Sequence, residues 1–221
     1  MASIIAISNI KGGVGKSTIA INLAAYLSTP AEVLLVDADP QGSVCDWFRI
    51  RKQGHLRNAR LAVSEQPYSA ALLQNNIQED SQGFDFVVID CPPEDDVILR
   101  TAMSVADFCI IPVTPSPFDL RSANKTVKTI KNGLASGAID INPRIAISKK
   151  ITGTVLAREA RAALEVFNIP IFSTEISQRI AFAEAGVSGK SIFEYEPASQ
   201  AAAEFNQFGK EALAWLKHSA K

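Results

Sequence analysis

A glycine-rich run with two lysines stands close to the start of the chain. It follows the apolar stretch from Ser3 to Ser8, and a helical pattern begins inside it at Lys16. Glycine lets consecutive backbone N–H groups close around phosphate oxygens, and the start of a helix adds partial positive charge. The run predicts a loop that binds the phosphates of a nucleotide, formed by Lys11, Gly12, Gly13, Val14, Gly15, Lys16, Ser17 and Thr18.

Three polar side chains of this loop have specific chemistry. Lys16 can reach the β- and γ-phosphates as a point charge, and the hydroxyl of Ser17 can coordinate Mg²⁺. The usual spacing would put glycine where this chain has Ile10, and Lys11 is a second lysine inside the loop. We therefore predict a nucleoside triphosphate with Mg²⁺ as the cofactors.

Carboxylates stand at the ends of two later apolar runs. Asp37 and Asp39 end one run, and Asp90 ends another. A carboxylate beside a phosphate loop can hold Mg²⁺ through its water shell, and another can orient or deprotonate the water that attacks the γ-phosphate. We predict Asp90 in the metal shell, Asp37 as a metal ligand or a support of the loop, and Asp39 at the attacking water. The alternative for Asp37 and Asp39 is to cap the helix that begins near Ser43.

These residues need elements that bring them to one edge of the molecule. Short β-branched runs predict buried strands at Ser3–Ser8, Glu32–Asp37, Phe84–Asp90, Phe108–Val113, Arg144–Ser148 and Pro170–Ser173. Helical spacing predicts helices at Lys16–Leu27, Ser43–Arg51, Tyr68–Ile77, Val97–Val105, Leu120–Leu134, Thr154–Phe167 and Ala198–His218. The alternation predicts an α/β fold with a doubly wound, mostly parallel sheet and helices on both faces. Ligands of such sheets sit beyond the carboxyl ends of the strands. Because no repeat or linker divides the chain, we predict a single P-loop NTPase domain over residues 1–221.

The composition excludes several other classes of protein. The 221 residues are 47% hydrophobic and 20% charged, which is unlike a disordered or collagen-like chain. Cys45, Cys91 and Cys109 form no CxxC pair of the kind found in zinc or dithiol sites. The first apolar run has no basic segment before it and is too short for a signal peptide or a membrane span. We expect a cytoplasmic protein.

Four segments together resemble one known family. The segments KGGVGKST, VDADPQGS, FVVIDCPP and IIPVTPSPFDL are similar to those of the ParA/MinD group of deviant Walker-type ATPases. The chain resembles in particular the small plasmid-type ParA branch, which has no N-terminal helix-turn-helix domain. This resemblance implies Mg²⁺-dependent hydrolysis of ATP to ADP and phosphate, with Lys11, Lys16 and Asp39 as catalytic residues. It also implies a nucleotide-dependent homodimer in which Lys11 contacts the phosphates bound by the partner subunit, where it can stabilise developing charge.

Positive charge is concentrated in the second half of the chain. Residues 1–120 contain 8 basic and 14 acidic residues, whereas residues 121–221 contain 14 and 9. Arg121, Lys125 and Lys128 have a spacing typical of one helix face. Such a patch can neutralise several phosphates of nonspecific DNA. The predicted DNA-binding residues are Arg121, Lys125, Lys128, Lys149, Lys150, Arg158 and Arg179; the alternative is an ordinary solvated face.

The resemblance implies a partition ATPase. Its ATP-bound dimer would bind nonspecific DNA of the nucleoid, and a centromere-binding or other adaptor protein would stimulate hydrolysis to drive segregation of plasmid or chromosomal DNA. The alternative is a MinD-like or cargo-positioning ATPase, a nucleotide-gated dimer that recruits a protein partner or a membrane. The membrane is the less favoured partner, because the C-terminal pattern around Phe205 and Phe208 predicts a helix packed on the domain. Gly209 also lowers the stability that this helix would have by itself.

Overall fold

The computed structural model describes residues 1–94 and 96–219. In this part of the chain the strands are Ser3–Ile7 (β1), Val33–Asp37 (β2), Leu61–Val63 (β3), Phe86–Asp90 (β4), Phe108–Val113 (β5) and Asn142–Ile147 (β6). The helices are Lys16–Leu27 (α1), Ser43–Gln53 (α2), Ala70–Asp80 (α3), Asp96–Val105 (α4), Pro117–Ala135 (α5), Val155–Glu165 (α6), Ile180–Val187 (α7), Ile192–Tyr195 (α8) and Gln200–Ser219 (α9).

The strands form one sheet in the order β3-β2-β4-β1-β5-β6, and all neighbouring strands are parallel. β4 lies between β1 and β2, so that Asp90 is paired in register with both Ile7 and Asp37. Since the carboxyl ends of parallel strands share an edge, the phosphate loop and the predicted acidic residues come together there.

Two apolar clusters cover opposite faces of the sheet. Successive residues of β1 alternate between them, with Ile4 and Ala6 in one cluster and Ile5 and Ile7 in the other. The first cluster includes side chains of α3, α4, α5 and α6, and the second includes side chains of α1, α2, α8 and α9. This arrangement confirms the predicted doubly wound α/β fold with helices on both faces.

Four elements differ from the sequence-based prediction. The strand predicted at Pro170–Ser173 is wrong: this segment makes only an isolated bridge, from Ile171 to Ile145 of β6. The short strand β3 and the helices α7 and α8 were not expected. β3 has only three residues, Leu61–Val63, which is too few for a periodic pattern to stand out.

The C-terminal helix α9 packs along the domain. Phe205, Phe208 and Leu216 are buried in the second cluster. A Cβ built on Gly209 would lie 2.5 Å from the ring of Tyr26 in α1, so glycine allows the two helices to approach closely. No helix in residues 1–94 and 96–219 has both the length and the apolar character needed to cross a membrane.

Candidate nucleotide site

The predicted phosphate loop connects β1 to α1. Gly13 and Gly15 have φ angles of 78° and 91°, a region that side chains with a Cβ rarely adopt. Gly15 stands directly before the first residue of α1. No heavy atom lies within 4 Å of a Cβ built on Gly13, which leaves room for a phosphate group against the backbone. The loop therefore has the form of an anion-binding turn at a helix N-terminus.

Lys16 lies at the inner side of this loop. Lys16 is only 6% exposed, and its Nζ donates a hydrogen bond to the backbone carbonyl of Lys11 at 3.1 Å. Burial lowers the pKa of Lys16, while the negative charge of Asp90 opposes this effect. The ammonium group is thus held over the loop, where it can meet the phosphates. Lys11 is exposed, and its side chain makes no hydrogen bond or ion pair within residues 1–94 and 96–219.

Asp90 is the most unusual carboxyl group of the site. It is fully buried, and neither of its oxygens has a hydrogen-bond partner in the described residues. Burial raises the pKa of Asp90 to about 7, and the neighbouring Asp37 adds to this increase. Ser17 Oγ is close enough to lower that pKa in part, although it lies outside regular hydrogen-bond geometry.

This orphaned carboxylate fits a cation site. A buried carboxylate without a partner is costly, and Mg²⁺ with its water shell would satisfy both oxygens. The described residues contain no group of three His, Cys, Asp or Glu side chains able to hold a metal ion. Mg²⁺ bound here would take most of its ligands from phosphate and water, as it prefers.

Asp37 supports the backbone around the site. Its Oδ1 accepts from the N–H of Asp39 at 3.0 Å, and its Oδ2 accepts from the N–H groups of Val44 and Cys45, both at 2.9 Å. The helix-capping alternative therefore describes Asp37 well, because these bonds fix the start of α2. Burial raises the pKa of Asp37, while the three backbone donors lower it.

Asp39 is placed differently from Asp37. Its Oδ1 accepts from the N–H of Gln41 at 2.9 Å, which closes a tight turn before α2. Its other carboxylate oxygen has no hydrogen bond within the described ranges, and the residue is 8% exposed. Asp39 therefore keeps one oxygen available at the mouth of the site.

Residues that sequence reasoning missed hold the loop in place. Asn9 Oδ1 accepts from the N–H of Lys11 at 3.0 Å and from Thr126 Oγ1 at 3.1 Å. Thr126 Oγ1 in turn accepts from the N–H of Ile10 at 3.1 Å. On the other side, Ser148 Oγ donates to the carbonyl of Val14 at 2.7 Å. For Asn9 and Ser148 the only sequence signal is a polar residue at the end of an apolar run, and Thr126 stands among polar residues without such a signal.

Lys149 belongs to the surroundings of the phosphate loop. It has a positive φ of 51°, and its Cε lies 3.8 Å from a Cβ built on Gly15. The two residues line a cavity of about 670 Å³ between the start of α1, the end of β6 and α7. Its apolar wall includes Ile151, Ile176 and Phe182.

A second cavity of similar size, about 700 Å³, lies elsewhere. Tyr26, Trp47 and Phe193 line it, together with residues from the start of β3. It is therefore remote from the carboxyl ends of the strands, and none of the predicted site residues lines it. Position relative to the strands, rather than size, identifies the cavity beside the loop as the candidate site.

The structure separates the predicted DNA-binding residues into distinct groups. Of these residues, Lys150 pairs with Glu175 and Arg179 pairs with Glu204, both at 2.5 Å. Arg161, which was not in the predicted set, also pairs with Glu175, at 3.0 Å. Arg121, Lys125 and Lys128 share the exposed face of α5, and Arg158 is exposed on α6. Arg144, another basic residue of this region, lies over the rings of Phe172 and Trp215.

The comparisons with known proteins agree with this geometry. Residues 5–192 match the family described as CobQ/CobB/MinD/ParA nucleotide binding domain. Maintenance of carboxysome distribution protein A from Halothiobacillus neapolitanus is 31% identical over 215 residues, covering 95% of each chain. Chromosome-partitioning ATPase Soj from Thermus thermophilus is 30% identical over an alignment of 247 positions, covering 97% of each chain.

A solved structure has the same fold. Apo McdA of Cyanothece superposes with a TM-score of 0.82 at 22% identity, covering 96% of this chain and 100% of that one. The match to the family spans most of the sequence, from the central strand β1 to the start of α8. The chain belongs to the CobQ/CobB/MinD/ParA family of nucleotide-binding domains.

Proposed function

We propose that this chain is a Mg²⁺-dependent ATPase whose ATP-bound homodimer binds nonspecific DNA, and whose hydrolysis is stimulated by an adaptor protein to segregate plasmid or chromosomal DNA. One observation carries the ATPase assignment: an open phosphate loop follows β1, and the buried, unpartnered carboxylate of Asp90 ends the adjacent strand β4. The backbone of the loop would hold the triphosphate of a nucleotide and Asp90 would hold the accompanying Mg²⁺, so that a single ligand would account for both features.

The residues of the site divide the chemical work. The backbone of the loop and Lys16 bind the β- and γ-phosphates, and Ser17 and Asp90 hold the cation. When bound, Mg²⁺ neutralises charge on these phosphates. Asp39 orients the attacking water and accepts its proton with the oxygen that has no hydrogen bond in the described residues. Asp37, the third predicted metal residue, acts mainly by holding the start of α2.

The cavity beside the loop is suited to the nucleoside. It shares Gly15 and Thr18 with the phosphate-binding segment, and its apolar wall can cover an aromatic base. Lys149 at its rim is better placed to contact the nucleotide than to contact DNA. We therefore assign Lys149 to the nucleotide site instead of the DNA surface.

The surface around the loop supports dimerisation. Lys11 is exposed there, and so are two large apolar side chains, Phe118 at 74% and Ile180 at 77%. Phe118 lies at the start of α5, directly beyond the carboxyl end of β5. Apolar side chains around a polar site favour burial against another protein surface. A second copy of the chain would cover them and would bring its own Lys11 to the bound phosphates.

Nucleotide-dependent mass and DNA binding test this function together. Oligomeric mass and binding to a random-sequence duplex are measured with ATP, with ADP and without nucleotide, at two salt concentrations. We expect a dimer that binds DNA only with ATP and more weakly at higher salt. Lys16→Ala should abolish nucleotide binding and dimerisation, whereas Lys210→Ala, a control at an exposed position of α9, should change neither. Full ATP affinity in Lys16→Ala would contradict the site.

Hydrolysis requires a separate variant. Asp39→Ala should still bind ATP and dimerise, but its turnover should fall by about 10²–10⁴-fold, the usual contribution of a general base. Asp46→Ala, which changes an exposed carboxylate of α2, is the matched control. Wild-type turnover in Asp39→Ala would remove Asp39 from the role at the attacking water.

A second candidate differs only in the cargo. The relative from Halothiobacillus neapolitanus is named for maintenance of carboxysome distribution, which favours the positioning of a protein assembly. The adaptor distinguishes the two. A protein that stimulates hydrolysis and binds a specific DNA sequence supports segregation of DNA, whereas one that binds a protein assembly supports the second candidate.

A further inference from the structure

The basic residues of the second half differ in whether their charge is already neutralised. Lys150, Arg161 and Arg179 are ion-paired with glutamates, and Glu204 also accepts from the N–H and hydroxyl of Ser177. To bind a phosphate, these cations would have to share or leave their partners. They are therefore poor sources of affinity for a polyanion.

The cations of α5 are in the opposite situation. Arg121, Lys125 and Lys128 are all exposed, and their side chains make no ion pair or hydrogen bond within residues 1–94 and 96–219. They lie on the side of the helix opposite the buried residues Ala123 and Val127. A regular row of unpaired charges, about one helical turn apart, can contact successive phosphates of a duplex.

A groove beside this row adds a cation from another helix. Arg100 of α4 is exposed and without a side-chain partner in the described residues, and it lines a groove of about 650 Å³ between α4 and α5. Thr129 and Asn132 of α5 line the same groove. They lie one turn after Lys125 and Lys128, respectively, so the row of cations on α5 ends close to the groove that Arg100 lines.

The same helix is connected to the phosphate loop. Thr126 stands next to Lys125 in sequence, and its hydroxyl bonds both Asn9 and the N–H of Ile10. The row of cations is therefore fixed, through one side chain, to the segment that precedes Lys11. A ligand on α5 is held in a defined position relative to the nucleotide.

We propose that the α4–α5 face, comprising Arg100, Arg121, Lys125 and Lys128, is the surface that binds the DNA backbone, and that Arg100 is a phosphate-contacting residue. This inference rests on the proposed DNA-binding function. It assigns a role to Arg100, which the sequence pattern did not include, and it removes Lys150 and Arg179 from the contact surface.

Neutralising substitutions test the surface. The variant Arg100→Gln/Lys125→Gln/Lys128→Gln is compared with Arg57→Gln/Lys210→Gln/Lys217→Gln, which removes three exposed charges elsewhere. Binding to a random-sequence duplex is measured by fluorescence anisotropy in the presence of a non-hydrolysable ATP analogue, over a range of salt concentrations. For three lost phosphate contacts, the slope of log K against log salt should fall by about 2.7, and the affinity at 0.1 M salt by about 100-fold or more.

The single variant Arg100→Gln tests the new residue by itself. Its slope should fall by about 0.9 and its affinity by roughly tenfold. ATP-dependent dimer mass is measured for every variant, and Arg100→Gln keeps the test decisive if the triple variant does not dimerise. Lys150→Gln/Arg179→Gln should bind DNA with the wild-type slope.

The outcomes distinguish a failure of this surface from a failure of the proposed function. If the wild type binds DNA and the α4–α5 variants bind equally well, this inference fails and the proposed function stands. A loss that is equal in the triple variant and its control, or larger in Lys150→Gln/Arg179→Gln, also overturns it. If the wild type binds no DNA in any nucleotide state, the proposed DNA-binding function fails, and the inference fails with it.

Discussion

Replacing Asp90 with asparagine separates its effect on stability from its effect on the nucleotide. Burial without a hydrogen bond raises the pKa of Asp90 from 3.8 to about 7. In the unfolded chain this carboxyl group is ionised at neutral pH, so folding must either take up a proton or bury the charge. The difference in pKa corresponds to about 4 kcal/mol of lost folding free energy at pH 7.

Asparagine removes this charge but leaves a buried polar group. An unpartnered amide costs about 1–3 kcal/mol, so the net gain in stability of Asp90→Asn should be about 1–3 kcal/mol. For a domain of this size, the melting temperature should rise by roughly 2–10 °C. Because the folded group has the higher pKa, its protonation should make the wild type about 1 kcal/mol more stable at pH 6 than at pH 8, and the variant should lack this contribution.

The assay is urea denaturation of the nucleotide-free protein in EDTA at pH 6, 7 and 8. Glu79→Gln, which changes an exposed carboxylate of α3, controls for the loss of one negative charge. Adding Mg²⁺ and ATP should then stabilise the wild type much more than Asp90→Asn. A variant less stable than the wild type, or one that keeps the full pH dependence, would show that Asp90 is not a destabilising buried charge.

Two further predictions concern packing away from the nucleotide. Gly209→Ala should destabilise the protein by about 1–3 kcal/mol in thermal melts, because the added methyl group meets the ring of Tyr26. The control Gly186→Ala in α7 has free space for its methyl group and should be neutral or stabilising. Glu194→Gln should cost about 1–3 kcal/mol, since it removes the charge paired with Arg51, whose side chain is 3% exposed, while the Glu194 side chain is 35% exposed and partly screened by solvent. Burial raises the pKa of Glu194, but the hydrogen bonds from Arg51 and Ser191 outweigh burial and lower this pKa overall. The stabilisation should therefore be present above the pKa of glutamate in the unfolded chain. In denaturation curves it should disappear as the pH falls through the lower pKa of the folded protein.

The sequence predicted the parts of the fold that depend on local pattern. Strand-and-helix alternation was sufficient for the doubly wound sheet, and the phosphate loop was evident from its glycines and lysines. Asp37, Asp39 and Asp90 could be singled out as candidates, because carboxylates at the ends of apolar strands stand out from their surroundings. These features are encoded within a few consecutive residues.

Features that depend on distant contacts were not predicted. Thr126 supports the phosphate loop from more than a hundred residues away, and nothing near it in sequence indicates this. Likewise, the pairing of Arg179 with Glu204 depends on the packing of α9. A count of basic residues therefore describes the charge of the region but not which of its cations are free.

The register of the sheet has a practical consequence for redesign. Asp37 and Asp90 are paired across β2 and β4 and form one rung of this strand ladder. Backbone hydrogen bonds between the two strands, rather than the two side chains, set this pairing. The residue at position 90 could be exchanged while the frame stays in place, whereas exchanging Asp37 would remove its hydrogen bonds to Val44 and Cys45 at the start of α2. Inserting or deleting one residue within β4 would instead turn its final side chain to the other face of the sheet. An engineer seeking new chemistry here should preserve the strand length, keep Asp37 and vary the side chain at position 90.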